Sequence, residues 1–193
     1  MSAPGTCCQT APKAAAPSPA RLSWGTHPWL VNGLLAARGM TEGILGARMM
    51  ALARDPSNQF ANSDAGREEL LAYVRNKVRD AEARYAELLP GDLVPRQSLL
   101  VKRVPVATQE SAPGGYYDGP SLDGTRPGTY WINLRDMSAV AKLRLPTLSY
   151  HEGVPGHHTQ GSIAAALGET PTLVKIASFN AYAEGWALYS ERL

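Results

Sequence analysis

Residues 151–158 read His151-Glu152-Gly153-Val154-Pro155-Gly156-His157-His158, and they hold three of the chain's four histidines. In the His-Glu-x-x-His helix of zinc peptidases, histidines at i and i+4 share one face and reach one metal, while the glutamate between them polarises a water. Here Pro155 occupies the i+4 place. His157, at i+6, faces about 240° round an ideal helix, and His158, at i+7, faces the same side but roughly 10 Å along the axis. Zinc–nitrogen bonds of about 2.0–2.1 Å exclude both pairings on a straight helix. Pro155 has no N–H to donate and clashes with the carbonyl four residues back. Gly156 permits unusual backbone angles. The helix is therefore expected to bulge or break at Pro-Gly. A two-residue bulge brings His157 to the second-ligand place and leaves His158 as its neighbour or as a substrate contact. The competing reading is a helix end decorated with polar surface histidines.

A zinc site with two histidines needs a third protein ligand. Downstream lies Phe179-Asn180-Ala181-Tyr182-Ala183-Glu184-Gly185-Trp186-Ala187-Leu188-Tyr189-Ser190-Glu191. Glu184 sits among Ala183, Gly185, Trp186 and Ala187, which implies a buried setting, and a buried carboxylate needs a partner or a metal. Glu191, seven residues on, shares that face. It is read either as a carboxylate holding a ligand histidine or as an exposed one. A solvated helix carboxylate is the alternative for Glu184.

Outward from the motif, Leu143 to Tyr150 leads in, Gly168 ends a helix, and Thr170-Pro171 starts another that runs to the chain end. Upstream, residues 98–106 read as a strand whose Pro105 belongs at a sheet edge. A Gly/Pro loop over 112–120 and a second strand over 129–134 follow. Residues from Asp64 to Leu88 carry Leu70, Leu71, Val74, Val78, Ala81, Tyr85 and Leu88 at spacings of three and four, one amphipathic helix stopped by Pro90-Gly91. Residues 21–54 offer short apolar runs interrupted by glycine, consistent with short helices. Residues 1–20 are Ala/Pro-rich without apolar periodicity and are expected to be disordered. Cys7 and Cys8 are neighbours, outside any metal or disulfide spacing.

Composition narrows the function classes. Lys+Arg of 19 against Asp+Glu of 17 leaves a net charge of +2, which argues against a nucleic-acid partner held by a basic stripe. No run approaches the roughly 18 apolar residues of a membrane span. The start Met1-Ser2-Ala3-Pro4-Gly5-Thr6 has no basic-then-apolar signal pattern, which points to the cytoplasm.

Five ordered segments carry a resemblance. They are Asp55-Pro56-Ser57-Asn58-Gln59-Phe60, Ala112-Pro113-Gly114-Gly115-Tyr116-Tyr117, Ser121-Leu122-Asp123-Gly124-Thr125-Arg126-Pro127-Gly128, Tyr150-His151-Glu152-Gly153-Val154-Pro155-Gly156-His157-His158, and Asn180-Ala181-Tyr182-Ala183-Glu184-Gly185-Trp186-Ala187-Leu188-Tyr189. From about Asp55 to Leu193 the chain resembles the bacterial domain-of-unknown-function 885 family. That family looks like a zincin-type, largely helical metallopeptidase group related to gluzincins. The resemblance implies His151, His157 and Glu184 as ligands to one Zn2+ per chain, and Glu152 as general base. It implies that the Tyr130–Leu134 strand is the sheet edge beside the cleft, able to pair with an extended peptide. It also sets Tyr116, Tyr117 and Arg126 on loops near the cleft, where a phenol or guanidinium can stabilise an oxyanion. Many members are exported or lipid-anchored. Members run to several hundred residues, so residues 55–193 are expected to be part of a larger domain.

The expected fold is mainly α with a small β-sheet (α+β), a zincin-like core with the site in the cleft between sheet and helices. The expected activity is zinc-dependent hydrolysis of a peptide. The alternatives are a metal-binding but inactive fragment, a metal-dependent hydrolase of a small-molecule ester or non-peptide amide, and a helical domain without metal.

Overall fold

The computed structural model describes residues 28–95, 97–176 and 179–193. The expectation of disorder over 1–20 and the Cys7-Cys8 pair lie outside these residues. The chain divides into a unit up to Met49 and a unit from Met50 to Leu193. In the first unit, α1 (Pro28–Ala36) and the start of α2 (Leu45–Arg54) are the short helices expected there. Arg48 ties this unit internally, donating to the Met40 carbonyl at 3.1 Å and to the Asn32 side chain.

The second unit is mainly α with a small β-sheet. Its elements are α3 (Asp64–Glu82), α4 (Tyr85–Leu88), β1 (Leu100–Arg103), β2 (Gly115–Asp118) and β3 (Thr129–Ile132), followed by α5 (Leu145–Glu152), α6 (His157–Ala166), α7 (Thr172–Ile176) and α8 (Asn180–Ser190). Helix α3 begins at Asp64, with its cap on the residue before. Ser63 is the N-cap, its hydroxyl accepting from the Gly66 N–H at 3.1 Å, which satisfies one of the orphan donors of the first turn. Leu70, Leu71, Val74 and Val78 are buried on the face turned to the core.

The amphipathic pattern does not run through to Leu88 as one helix. It breaks after Glu82, and α4 carries Tyr85 into the core on a new heading. There the Tyr85 hydroxyl meets Thr159 of α6 at 2.9 Å. Burial raises the Tyr85 phenol to about 12, so it stays protonated. A buried hydroxyl must find a partner, and the break lets Tyr85 find one.

The sheet order is β1-β3-β2. β1 runs parallel to β3, with Leu100 opposite Thr129, and β2 runs antiparallel to it, with Tyr117 opposite Tyr130. Thus the 112–120 segment, expected as a loop, contributes an edge strand. The strand expected over 129–134 is central rather than an edge, which corrects the expectation that Tyr130–Leu134 borders the cleft. β3 is nearly continuously buried, the signature of a strand covered on both faces. Its Tyr130, Ile132 and the following Leu134 join Leu70, Val74, Val101, Leu145 and Val154 in one core. Helix α3 packs on α5 and β1, and α5 packs in turn on α8, α6 and β2. No helix among the described residues is long and apolar enough to cross a membrane.

Leu70 is fully buried at the centre of this core. Leu70→Ala is expected to lower unfolding free energy by about 2–5 kcal/mol. The check is a urea titration in which the midpoint falls and the slope is unchanged.

Candidate metal centre

The motif folds as two helices joined by a turn, not as one helix with a bulge. Helix α5 ends at Glu152 and α6 begins at His157. Pro155 cannot donate into a helical ladder. The Gly153 N–H closes α5 on the Ser149 carbonyl at 2.9 Å, and the His158 N–H reaches back to the Gly153 carbonyl at 3.1 Å. The Val154–Pro155 peptide is cis. At Gly156 a Cβ would stand 1.9 Å from the His151 carbonyl oxygen, so this close approach demands glycine. The turn folds the start of α6 back beside the end of α5. The His151 and His157 rings meet edge to face with centroids 4.9 Å apart.

Helix α8 closes the third side. The Trp186 indole N–H donates to the Pro155 carbonyl at 2.8 Å, and Gln160 of α6 donates to the Tyr182 carbonyl at 3.3 Å. Thus α8 is fastened to the turn itself. Its Glu184 lies across from the histidines, with Oε2 at 3.3 Å from His151 Nε2 and Oε1 at 3.7 Å from His157 Nε2. One ligand atom from each of His151, His157 and Glu184 falls within 4.8 Å of the others. Among the described residues this is the one such group of three His, Cys, Asp or Glu side chains. Glu184 is exposed rather than buried as its apolar neighbours suggested, because Trp186 meets the turn and Ala187 is buried while the carboxylate lines an open pocket. Glu191, just past α8, accepts from His151 Nδ1 at 2.8 Å. A carboxylate on the far nitrogen fixes the tautomer and turns Nε2 toward the group.

Glu152 is buried at the pocket wall. Burial pushes its carboxyl above the ordinary range, and the Glu184 charge adds to that, while His151 and a hydrogen bond from the Tyr117 backbone N–H oppose it. Burial, with the charge of His151, holds His157 below the ordinary imidazole value.

The remaining expected residues fall in different places. Tyr116 lines the pocket with its ring stacked on Trp131. Tyr117 lines it too, but its hydroxyl turns inward to His158 Nδ1 at 3.1 Å. His158 is fully buried, which corrects its reading as a substrate contact. Arg126 is exposed, pairs with Asp118 at 3.2 Å and does not line the pocket. Tyr130 lies in the core. Trp186 was not singled out from the sequence for a role. A tryptophan whose N–H must find an acceptor when packed, two residues after a candidate ligand, was the available signal.

The pocket has a volume of about 960 Å³ and runs from the His151–His157–Glu184 group along apolar Leu173, Ile176 and Phe179. A separate cavity of about 600 Å³, lined by Leu93, Gln97, Leu122 and Ile163, holds no such group.

A family described as "Bacterial protein of unknown function (DUF885)" matches residues 32–193. The chain belongs to this family. Among solved structures, a protein from Colwellia psychrerythraea described as a candidate lipoprotein is 45% identical, with a TM-score of 0.80 over 86% of this chain. The chain spans 28% of that protein's length. No curated protein matches it.

Proposed function

We propose that this DUF885 chain carries a zinc site of the zincin type and that the site hydrolyses peptide bonds. The observation that carries the reading is the convergence of His151, His157 and Glu184 within 4.8 Å beside a buried Glu152. The donor set suits zinc, because two imidazoles and one carboxylate form a known catalytic zinc set that leaves a position open for substrate. His157 is kept neutral by its surroundings, and a ligand histidine must be neutral to bind. Glu191 on His151 supplies the orienting partner that ligand histidines need.

When bound, zinc supplies Lewis acidity that polarises a carbonyl and makes water more acidic. The residues do the rest. Glu152, its carboxylate held by the Tyr117 N–H, takes a proton from the attacking water and passes it to the leaving nitrogen. The apolar wall of Leu173, Ile176 and Phe179 takes apolar parts of a substrate. The same proton transfers serve an ester or a non-peptide amide. The relative's description as a candidate lipoprotein supports a setting in the cell envelope.

A second reading rests on one observation: the chain spans 28% of its solved relative. In that reading these residues bind zinc but hydrolyse nothing by themselves.

The test is zinc content per chain by plasma mass spectrometry. Wild type is expected to hold one zinc, and His157→Ala and Glu184→Ala to lose it. Zinc affinity is expected to fall as pH drops below about 6, when protons compete for the imidazoles. The depressed His157 value sets the sign, since a lowered pKa keeps that ligand available down to a lower pH than an ordinary histidine. A folded, zinc-free wild type would end the metal reading. Zinc uptake without cleavage of a peptide library or ester panel would favour the second reading.

A further inference from the structure

We propose that Tyr117, anchored through its phenol to the buried imidazole of His158, is a positioning residue for His157. The inference rests on the zinc reading of the site.

His158 has no free nitrogen. Its Nε2 lies 3.0 Å from the Gln97 carbonyl, which can only accept, so Nε2 carries the proton. In a neutral imidazole Nδ1 is then an acceptor, and the Tyr117 hydroxyl donates to it at 3.1 Å. The ring is fully buried. His158 is thus excluded as a ligand, although it adjoins one in the chain.

Tyr117 directs the rest of its atoms at the site. Its ring stacks on His157, with centroids 6.5 Å apart and planes within 20°. The Ser162 hydroxyl lies 3.4 Å from the same His158 nitrogen, Nδ1, and the surroundings leave little further room. A Cβ at Gly128 would stand 2.5 Å from the Tyr117 hydroxyl and 2.8 Å from His158 Nδ1. A Cβ at Gly161 would reach the Tyr117 ring at 3.5 Å. A series of contacts therefore runs from Gln97, before β1, through His158 on α6 to Tyr117 on β2, and ends on the candidate ligand His157.

The experiment uses wild type, Tyr117→Phe, His158→Gln and His158→Leu, each measured with and without metal. Glutamine offers an N–H for the Gln97 carbonyl and an oxygen for the Tyr117 hydroxyl, so it is the conservative rescue. In metal-free wild type, the imidazole nitrogen–proton spectrum should show His158 neutral with the proton on Nε2. In Tyr117→Phe, the His157 ring signals should shift, and the melting temperature should fall by several degrees with the fold retained. With metal, Tyr117→Phe should bind zinc about tenfold more weakly, the scale for orienting partners of metal ligands, and should alter the visible spectrum of the cobalt form. His158→Gln should retain affinity within a few-fold. A folded His158→Leu should match Tyr117→Phe, and one that binds zinc as tightly as wild type would overturn the proposal. Unmoved His157 signals together with unchanged zinc affinity in Tyr117→Phe would overturn the proposal. So would loss of zinc in His158→Gln as complete as in His157→Ala, since that would make His158 a ligand. A metal-free wild type that takes up no zinc would end the zinc reading alone, and the His157 signals would still decide the positioning role.

Discussion

Glu152→Gln is expected to keep one zinc per chain and to lose hydrolysis by about 10²–10⁴-fold, the usual contribution of a positioned general base. Glu152 lies outside the group of three ligand atoms formed by His151, His157 and Glu184. Its substitution therefore leaves the donor set intact. Glutamine has the same shape, and its amide oxygen still accepts from the Tyr117 N–H, so the wall of the pocket is kept. What it loses is the ability to take a proton. The wild-type carboxyl is suited to proton abstraction, because burial and the Glu184 charge push it above the ordinary carboxylate range. Its ionised form is therefore a stronger base than a surface glutamate. In the metal-free protein Glu152 takes up its proton at a higher pH than an ordinary glutamate, and a zinc ion held beside it would lower that value. The check pairs zinc content with turnover of the best substrate from a peptide library. Turnover above a tenth of wild type would move the base elsewhere, and loss of zinc would make Glu152 a ligand.

Much of this site was readable along the chain, and the limits of that reading have physical causes. The His-Glu and His-His pairs around Pro-Gly carried the candidate ligand set, because a break at proline is a local consequence of a missing N–H. The form of the break was not local. Whether the backbone bulges or turns depends on how α6 returns against α5, and on the Trp186 N–H that meets the Pro155 carbonyl from 31 residues away. Glu184 stood out in the sequence, yet its burial was misread, because small apolar neighbours report one side of a helix and the carboxylate sits on another. The same distinction explains α3. Its apolar spacing continues past Glu82, yet the chain turns so that Tyr85 can reach Thr159, 74 residues on. Strand β2 was read as a loop, since Gly-Gly-Tyr-Tyr-Asp is flanked by turn residues and its pairing comes entirely from β3. Spacing and propensity see neighbours along the chain, and side-chain acceptors and sheet partners lie beyond that range. Gln97, whose carbonyl holds His158, has no sequence signal at all.

Gly156→Ala is expected to be the most damaging single methyl addition at the site. The added Cβ would stand 1.9 Å from the His151 carbonyl oxygen, 2.2 Å from that of Tyr150 and 2.6 Å from the His151 carbonyl carbon. These are backbone atoms, so no rotamer change relieves the contact. The turn between α5 and α6 must open, and a loss of about 4 kcal/mol or more is the scale of such an exceptional substitution. That is a large share of the roughly 5–15 kcal/mol that holds a domain together. Even where the chain still folds, His157 is the next residue, and its ring moves with the turn. Ligand distances must hold within about 0.2 Å, so zinc affinity is expected to fall by about 100-fold or more. Gly185→Ala is the matched control. It lies in α8 beside Glu184, where a Cβ meets nothing within 4 Å, and alanine in a helix interior is expected to add about 0.5–1 kcal/mol. Denaturant midpoints and zinc titrations on both variants give the comparison. A Gly156→Ala protein within about 1 kcal/mol of wild type that still holds its zinc would show that the close approach at residue 156 does not set the geometry of the ligand pair. Loss of zinc in Gly156→Ala with its retention in Gly185→Ala would tie the ligand geometry to this turn.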